Sequence, residues 1–315
     1  MNKVIVICGQ TSTGKSDFAV SLAKWFSTPS VLKDISPLAG GEIVSADSRQ
    51  VYIGLDIGSG KITEKEMKGI PHHMLSIVNP NKVFNVNDYK KLANKKIKEI
   101  IKRGNLPIIC GGTGFYIDAI INDSVFPKVP PNLKLRLELE NKTTTELFKI
   151  LKKLDKTRAE NIDKNNPVRL IRAIEIATAL GSVPPTTHKS DLWPKYKVLK
   201  IGLMLPDEVL KERIYKRIIK RIKMGMIDEV KTLNNKGLSW ARMEDLGLEY
   251  RYISQYLQGL MTKSEMLEKL NTESWHYAKR QKTWFKRDKS TIWLNPLDKK
   301  ETSEVYKKIK EFLES

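Results

Sequence analysis

Gly9-Gln10-Thr11-Ser12-Thr13-Gly14-Lys15-Ser16 fits the phosphate-cradling pattern G-x-x-x-x-G-K-[ST] at every fixed position. The run before it, Lys3 to Cys8, is apolar, β-branched and of strand length, and the run after it spaces Phe18, Leu22 and Trp25 along one helix face. A strand feeding a glycine loop that opens a helix aims backbone N–H groups and the helix dipole at one point. A polyphosphate is therefore expected on Gly9 to Ser16, with Lys15 reaching its oxygens and the Ser16 hydroxyl holding a Mg²⁺. The fold class this unit predicts is α/β: a P-loop NTPase-like parallel sheet flanked by helices.

Downstream, Ser27 to Gly41 reads as a loop and Glu42 to Ala46 as a second strand, which ends in Asp47-Ser48-Arg49-Gln50. The carboxyl ends of strands in an open parallel sheet face the ligand crevice, so Asp47 falls where chemistry is expected. The stretch from Ile53 to Pro80 reads as irregular structure, and for His72 and His73 within it a structural hydrogen-bonding role is the better reading. Asn87 is expected to cap a helix running to about Arg103, followed by a strand from Leu106 to Cys110. That strand runs into Gly111-Gly112-Thr113-Gly114, where most phosphate-loop hydrolases place an acid. This counts against an ATP-driven motor. The turn would either let a substrate approach the backbone closely, with Thr113 donating a hydrogen bond, or need glycine for its own geometry.

The composition shifts near Asn122. Residues 123–191 read as a small all-helical insertion, with helices over Leu133 to Leu139, Thr145 to Leu154 and from Pro167 onward, the last closed by Gly181 ahead of Pro184 and Pro185. Residues 1–122 and 192–315 would form the catalytic core. Lys197 to Leu205 returns as a strand, and the helix after Pro206 carries Arg213, Arg217 and Arg221 on one stripe. Such a stripe either lies across an anion or is a solvated basic face. The last long helix, about Lys263 to Lys286, interleaves Trp275, Tyr277 and Trp284 with Lys279, Arg280 and Lys282. That mixture suits an RNA backbone with unstacked bases, or aromatics packed on the core beneath snorkelling lysines.

The 315 residues carry 56 lysines and arginines against 36 acids, a formal charge of +20. An excess of that size points to a polyanionic partner, although the lysines are spread along the chain as a lysine-rich composition would also spread them. Two cysteines, Cys8 and Cys110, give neither a zinc site nor a disulfide framework. The apolar start is too short for a signal peptide, and no apolar stretch approaches the roughly 18 to 20 residues a membrane helix needs. A monomeric cytoplasmic protein without membrane contact is expected.

Five blocks together resemble the tRNA dimethylallyltransferases: Gly9 to Ser16; Asp47 to Tyr52 with Asp56-Ile57-Gly58; Gly111 to Tyr116; Asn166 to Glu175; and Ala278 to Trp284. The resemblance spans nearly the whole chain and implies transfer of a dimethylallyl group from dimethylallyl diphosphate to an adenosine 3′ of the tRNA anticodon. It implies diphosphate binding by Gly9, Gln10, Thr11, Ser12, Thr13, Gly14, Lys15 and Ser16, with Mg²⁺ on Ser16, and Asp47 as the base. Arg217 and Thr113 would act on the diphosphate and the reacting adenosine. The tRNA anticodon stem-loop would be gripped by Asp47, Ser48, Arg49, Gln50, Thr113, Arg169, Leu170, Arg172, Lys279, Arg280, Gln281, Thr283 and Trp284. The chain departs from the family pattern at Val168 and at Leu246-Gly247-Leu248-Glu249-Tyr250, where a Gly-Tyr pair is usual. A small-molecule adenylate isopentenyltransferase, a nucleotide kinase, and a nucleotide-switched RNA-binding protein are the rival readings.

Overall fold

The computed structural model describes residues 2–28, 39–184 and 195–315. The strands are β1 (Lys3–Gly9), β2 (Gly40–Ser45), β3 (His72–His73), β4 (Asn105–Cys110), β5 (Lys197–Leu203) and β6 (Ile292–Leu294). They form one sheet in the order β3-β2-β4-β1-β5-β6, with every neighbouring pair parallel. The helices are α1 (Lys15–Phe26), α2 (Glu64–Met67), α3 (Val86–Lys102), α4 (Gly114–Ile121), α5 (Leu133–Glu140), α6 (Thr144–Leu154), α7 (Lys156–Glu160), α8 (Pro167–Leu180), α9 (Asp207–Lys223), α10 (Met226–Asn235), α11 (Trp240–Leu246), α12 (Leu248–Leu257), α13 (Lys263–Phe285) and α14 (Lys299–Glu314). The expected α/β sheet is present, with the phosphate-loop strand β1 at its interior between β4 and β5.

Parallel strands covered on both faces read as continuous apolar runs, and β1 shows why. Ile5 and Ile7 pack against α1 and α14 on one face, while Val4, Val6 and Cys8 pack against α3 and α4 on the other. Cys110 faces with Ile7, so the two cysteines bury on opposite sides of the sheet and stay free thiols. A separate helical core joins α9 to α13, with Leu210, Val230, Met243, Tyr250 and Leu270 inside it.

The chain divides into two compact units, Met1–Asp123 with Trp193–Ser315, and Ser124–Leu192. In the second unit α5 to α8 enclose Leu139, Leu147, Leu151, Leu170 and Ile174. Glu175 is buried there and accepts from Arg136 at 2.7 and 2.8 Å, from the Asn132 N–H at 2.9 Å and from Arg172 at 3.0 Å. Burial alone would raise its carboxyl, but these bonds outweigh it and bring it down to about 2.

Two local expectations are corrected. The stretch from Ile53 to Pro80 is not wholly irregular: His72 and His73 form an edge strand on Ile43 and Val44. There His73 Nε2 lies 2.6 Å from Glu42, which Arg103 and Asn105 also hold. Asn85 rather than Asn87 caps α3, because Asn85 and Asp88 complete a reciprocal capping box. The closing Pro185 and most of the loop after α1 lie outside the described residues.

Candidate functional site

The loop between β1 and α1 turns on two left-handed residues, Ser12 at φ +62° and Gly14 at φ +89°. Thr13 Oγ1 and Lys15 Nζ both donate to the Gln10 carbonyl, which folds the loop into a closed cradle. Burial pushes the Lys15 ammonium down to about 8, so charge is held there at a cost that a bound anion would offset. The Ser12 hydroxyl is buried without a hydrogen-bond partner inside the cradle, while Ser16 is exposed at the start of α1. An anion would supply what both the ammonium and the orphaned hydroxyl lack.

This cradle is one wall of a cleft of about 580 Å³, the size of small-molecule sites. Asp47, Ser48, Arg49 and Gln50 line it from the turn after β2. Asp47 Oδ1 accepts from the Arg49 and Gln50 N–H groups at 2.8 and 3.2 Å, an Asx turn that fixes the carboxylate at the strand end. The Ser48 N–H donates to Thr113 Oγ1 at 3.0 Å, and the Thr113 N–H donates to the Ala46 carbonyl at 3.1 Å. Thr113 therefore ties the Asp47 turn to the glycine turn after β4. Beneath it the Tyr89 hydroxyl donates to the Ser45 carbonyl at 3.0 Å.

The glycine turn is explained by packing. A Cβ on Gly111 would stand 2.2 Å from the Ala46 carbonyl oxygen, and one on Gly112 would stand 2.3 Å from Gln281 Nε2. Both glycines also line the cleft, so close packing and access coincide.

From α9, Arg213, Arg217 and Arg221 all line the cleft, so the stripe faces the cleft rather than open solvent. Arg217 donates to Thr11 Oγ1 at 2.9 Å and has no carboxylate partner among the described residues. Burial, followed by the neighbouring Arg221 charge, lowers its guanidinium to about 10. It remains a cation at neutral pH, pointed at the phosphate loop with no direct ion pair among the described residues. Arg221 is instead paired with Glu249 at 2.7 Å.

A further wall lies where the sequence departs from the family pattern. Leu246, Gly247, Leu248, Glu249 and Tyr250, at the junction of α11 and α12, line the cleft, with Gly247 at φ +73° and Leu248 at φ +39°. The Leu246 carbonyl accepts from Arg49 Nε at 2.5 Å. Tyr250 is 1% exposed and donates to Glu229 at 3.0 Å, so its hydroxyl is committed within the protein. A glycine between two amphipathic runs was the available clue to this wall. Glu229 offers none, being an ordinary position on α10.

Residues implied to grip RNA divide into two groups. Lys279, Arg280 and Thr283 are exposed on α13, and Arg169 is exposed on α8. Trp284 is half-buried, donates Nε1 to Asp118 at 2.8 Å and meets Phe115 edge-on. Leu170 cannot meet RNA: it is 0% exposed in the core of the helical unit. Gln281 is also corrected. It is buried, accepts the Thr11 N–H at 2.7 Å and donates to the Gly112 carbonyl at 2.9 Å, so both amide ends serve the cleft. Arg172 spends its guanidinium on Glu175 and on the Val129 carbonyl, at 3.0 and 2.7 Å, inside its own unit.

Among the described residues no group of three His, Cys, Asp or Glu side chains stands together to hold a metal ion. A divalent cation here would take the Ser16 hydroxyl and the oxygens of the anion itself, the mode that suits Mg²⁺. No helix among the described residues is long and apolar enough to cross a membrane.

The family model described as IPP transferase matches residues 50–288. A protein of Treponema denticola named tRNA dimethylallyltransferase 2 is 41% identical over 294 residues, covering 92% of this chain and 94% of the relative. The tRNA dimethylallyltransferase of Anoxybacillus flavithermus is 40% identical, covering 94% of this chain and 91% of its own length. Among solved structures, the full-length tRNA isopentenylpyrophosphate transferase of Bacillus halodurans aligns with a TM-score of 0.73 at 34% identity, covering 100% of this chain and 97% of that one.

Proposed function

The chain belongs to the IPP transferase family, and on that premise we propose that it transfers a dimethylallyl group from dimethylallyl diphosphate to the exocyclic amine of the adenosine 3′ of a tRNA anticodon. The observation that carries this reading is the meeting of Asp47 and the phosphate loop in one cleft, with Arg217 beside that loop and in no direct ion pair among the described residues. Two of the rivals lack such support: a kinase gains nothing from a carboxylate set to take a proton from an amine, and a nucleotide switch needs no prenyl site. The small-molecule isopentenyltransferase shares this chemistry and is separated by its acceptor.

The allylic carbon–oxygen bond breaks with carbocation character, so negative charge gathers on the departing diphosphate. The Lys15 ammonium, the Ser12 hydroxyl and Arg217, all at the phosphate loop, would receive it. The cleft residues fit a Mg²⁺ on Ser16, which when bound would add further charge to the leaving-group side. As the carbon–nitrogen bond forms, Asp47 accepts the proton that the exocyclic amine gives up. The adenine must leave its stack to reach Asp47, at a few kcal/mol, and less in a loop than in a duplex.

Lys279, Arg280 and Trp284 on α13, with Arg169 on the helical unit, are proposed to hold the anticodon stem-loop, in keeping with a net charge of +20. The cytoplasm, where tRNA is abundant, is the proposed place of action. A transfer assay with tRNA and AMP as competing acceptors tests the reading: preference for tRNA is expected, and equal or better use of AMP would replace it with the small-molecule alternative.

A further inference from the structure

Glu229, on α10, lies behind the cleft rather than in it, yet its carboxylate organises the turn that bounds the arginines. Its Oε2 accepts the N–H groups of Asp56 and Ile57 at 3.0 and 2.6 Å, and its Oε1 accepts the Gly58 N–H and the Tyr250 hydroxyl, each at 3.0 Å. Three successive backbone amides converging on one carboxylate form an anion nest filled by the protein's own side chain. The turn so held meets the arginine stripe directly. Arg221 donates to the Gly58 carbonyl at 3.2 Å, and Gln50 donates to the Gly60 carbonyl at 3.2 Å. At Gly60, with φ +59°, a Cβ would lie 1.8 Å from an Arg221 terminal nitrogen and 2.2 Å from an Arg217 terminal nitrogen. The bare Gly60 backbone is thus the surface against which both guanidinium tips rest.

We propose that Glu229 is a positioning residue for the diphosphate-binding arginine: it clamps the 56–60 turn against Arg217 and Arg221 and so fixes where the Arg217 charge meets the leaving group. Two adjacent guanidiniums repel, and side chains that long keep several rotamers unless something limits them. Arg221 is restrained by Glu249 and the Gly58 carbonyl. Among the described residues Arg217 has a hydrogen bond to Thr11 Oγ1 and the Gly60 backbone to define it. Replacing the carboxylate by an amide turns one acceptor oxygen into a donor facing donors, which expels the turn from its nest without changing side-chain size.

The proposal rests on the diphosphate reading above, and calorimetric titration of the full chain with inorganic diphosphate and Mg²⁺ separates the two. Glu229→Gln is expected to weaken diphosphate binding about tenfold, as loss of supporting contacts around a charged site commonly does, while tRNA affinity stays within about twofold. In an Arg217→Ala background the same change should have less than about a twofold further effect. A loss of under about threefold in the single variant, or an equal loss in both backgrounds, would overturn the proposal. Gly58→Ala tests it independently of whether Glu229→Gln folds, because its Cβ would stand 2.7 Å from the Tyr250 ring and 3.2 Å from Glu229 Oε1, displacing the same turn. Weakened diphosphate binding is expected, and unchanged binding would count against the clamp. Failure of the wild-type protein to bind diphosphate would instead overturn the functional reading, and the clamp with it.

Discussion

Gln281 accepts the Thr11 backbone N–H at 2.7 Å from the far side of the phosphate loop, and its other amide end holds the Gly112 carbonyl. A residue near the end of a long basic helix thereby braces the two glycine turns of the sheet edge against each other. The neighbouring Arg280 points into solvent. Adjacent positions on α13 thus face different surroundings, the cleft and the solvent.

Gln281→Ala should raise the KM for dimethylallyl diphosphate by about tenfold and leave the salt dependence of tRNA binding unchanged, since only the cradle loses its brace. Arg280→Ala should do the reverse, lowering the salt slope of tRNA binding by about one unit. Steady-state kinetics together with binding at several salt concentrations distinguish the two, and a salt slope that moves with Gln281 instead would return that residue to the RNA face.

Asp47→Asn keeps an oxygen that can accept the Arg49 and Gln50 N–H groups, so the turn should survive. Loss of the proton acceptor should reduce turnover by at least about 100-fold, with tRNA affinity within about twofold of wild type. Activity within a few-fold of wild type in single-turnover measurements would restrict Asp47 to shaping the turn.

Lys15 sets a pH dependence. Burial lowers its ammonium to about 8, and on the proposed reading the charged form is the one that holds diphosphate. Affinity should therefore fall as pH rises through about 8, by up to about tenfold per unit, until the bound form also loses its proton. In Lys15→Arg the decline should flatten, because guanidinium does not titrate in that range. Calorimetry from pH 7 to 9.5 follows both proteins, and parallel curves would remove Lys15 as the cause.

Arg172 and Arg169 sit three residues apart with opposite commitments. Arg172→Ala strips one partner from buried Glu175 and opens the Val129 contact, so the melting temperature should drop by several degrees with little change in RNA salt slope. Arg169→Ala should leave melting unchanged and reduce the salt slope by about one unit. Thermal melts and binding isotherms on both variants check this.

What could be read from the sequence follows the range of its signals. The β1 strand, the phosphate loop and α1 were legible because each residue's role is fixed by its immediate neighbours, and Asp47 because strand ends in a parallel sheet share an edge. The motif resemblance misled at Leu170 and Gln281. Each lies within a motif rich in RNA-type residues, but which stripe of a helix packs inward depends on partners far away in sequence. The two-residue strand at His72 and His73 is too short to show a period. The wall from Leu246 to Tyr250 depends on a helix break at Gly247 that brings its residues to the cleft only after α9, α10 and α13 have packed.

The central claim is tested most directly by mass spectrometry of nucleosides from unmodified tRNA incubated with the protein, Mg²⁺ and dimethylallyl diphosphate. An adenosine carrying one dimethylallyl group on its exocyclic nitrogen, mapped to the position 3′ of the anticodon and lost with Asp47→Asn, is the predicted result. Unaltered tRNA nucleosides alongside a prenylated adenylate, or no adduct with either acceptor, would contradict it.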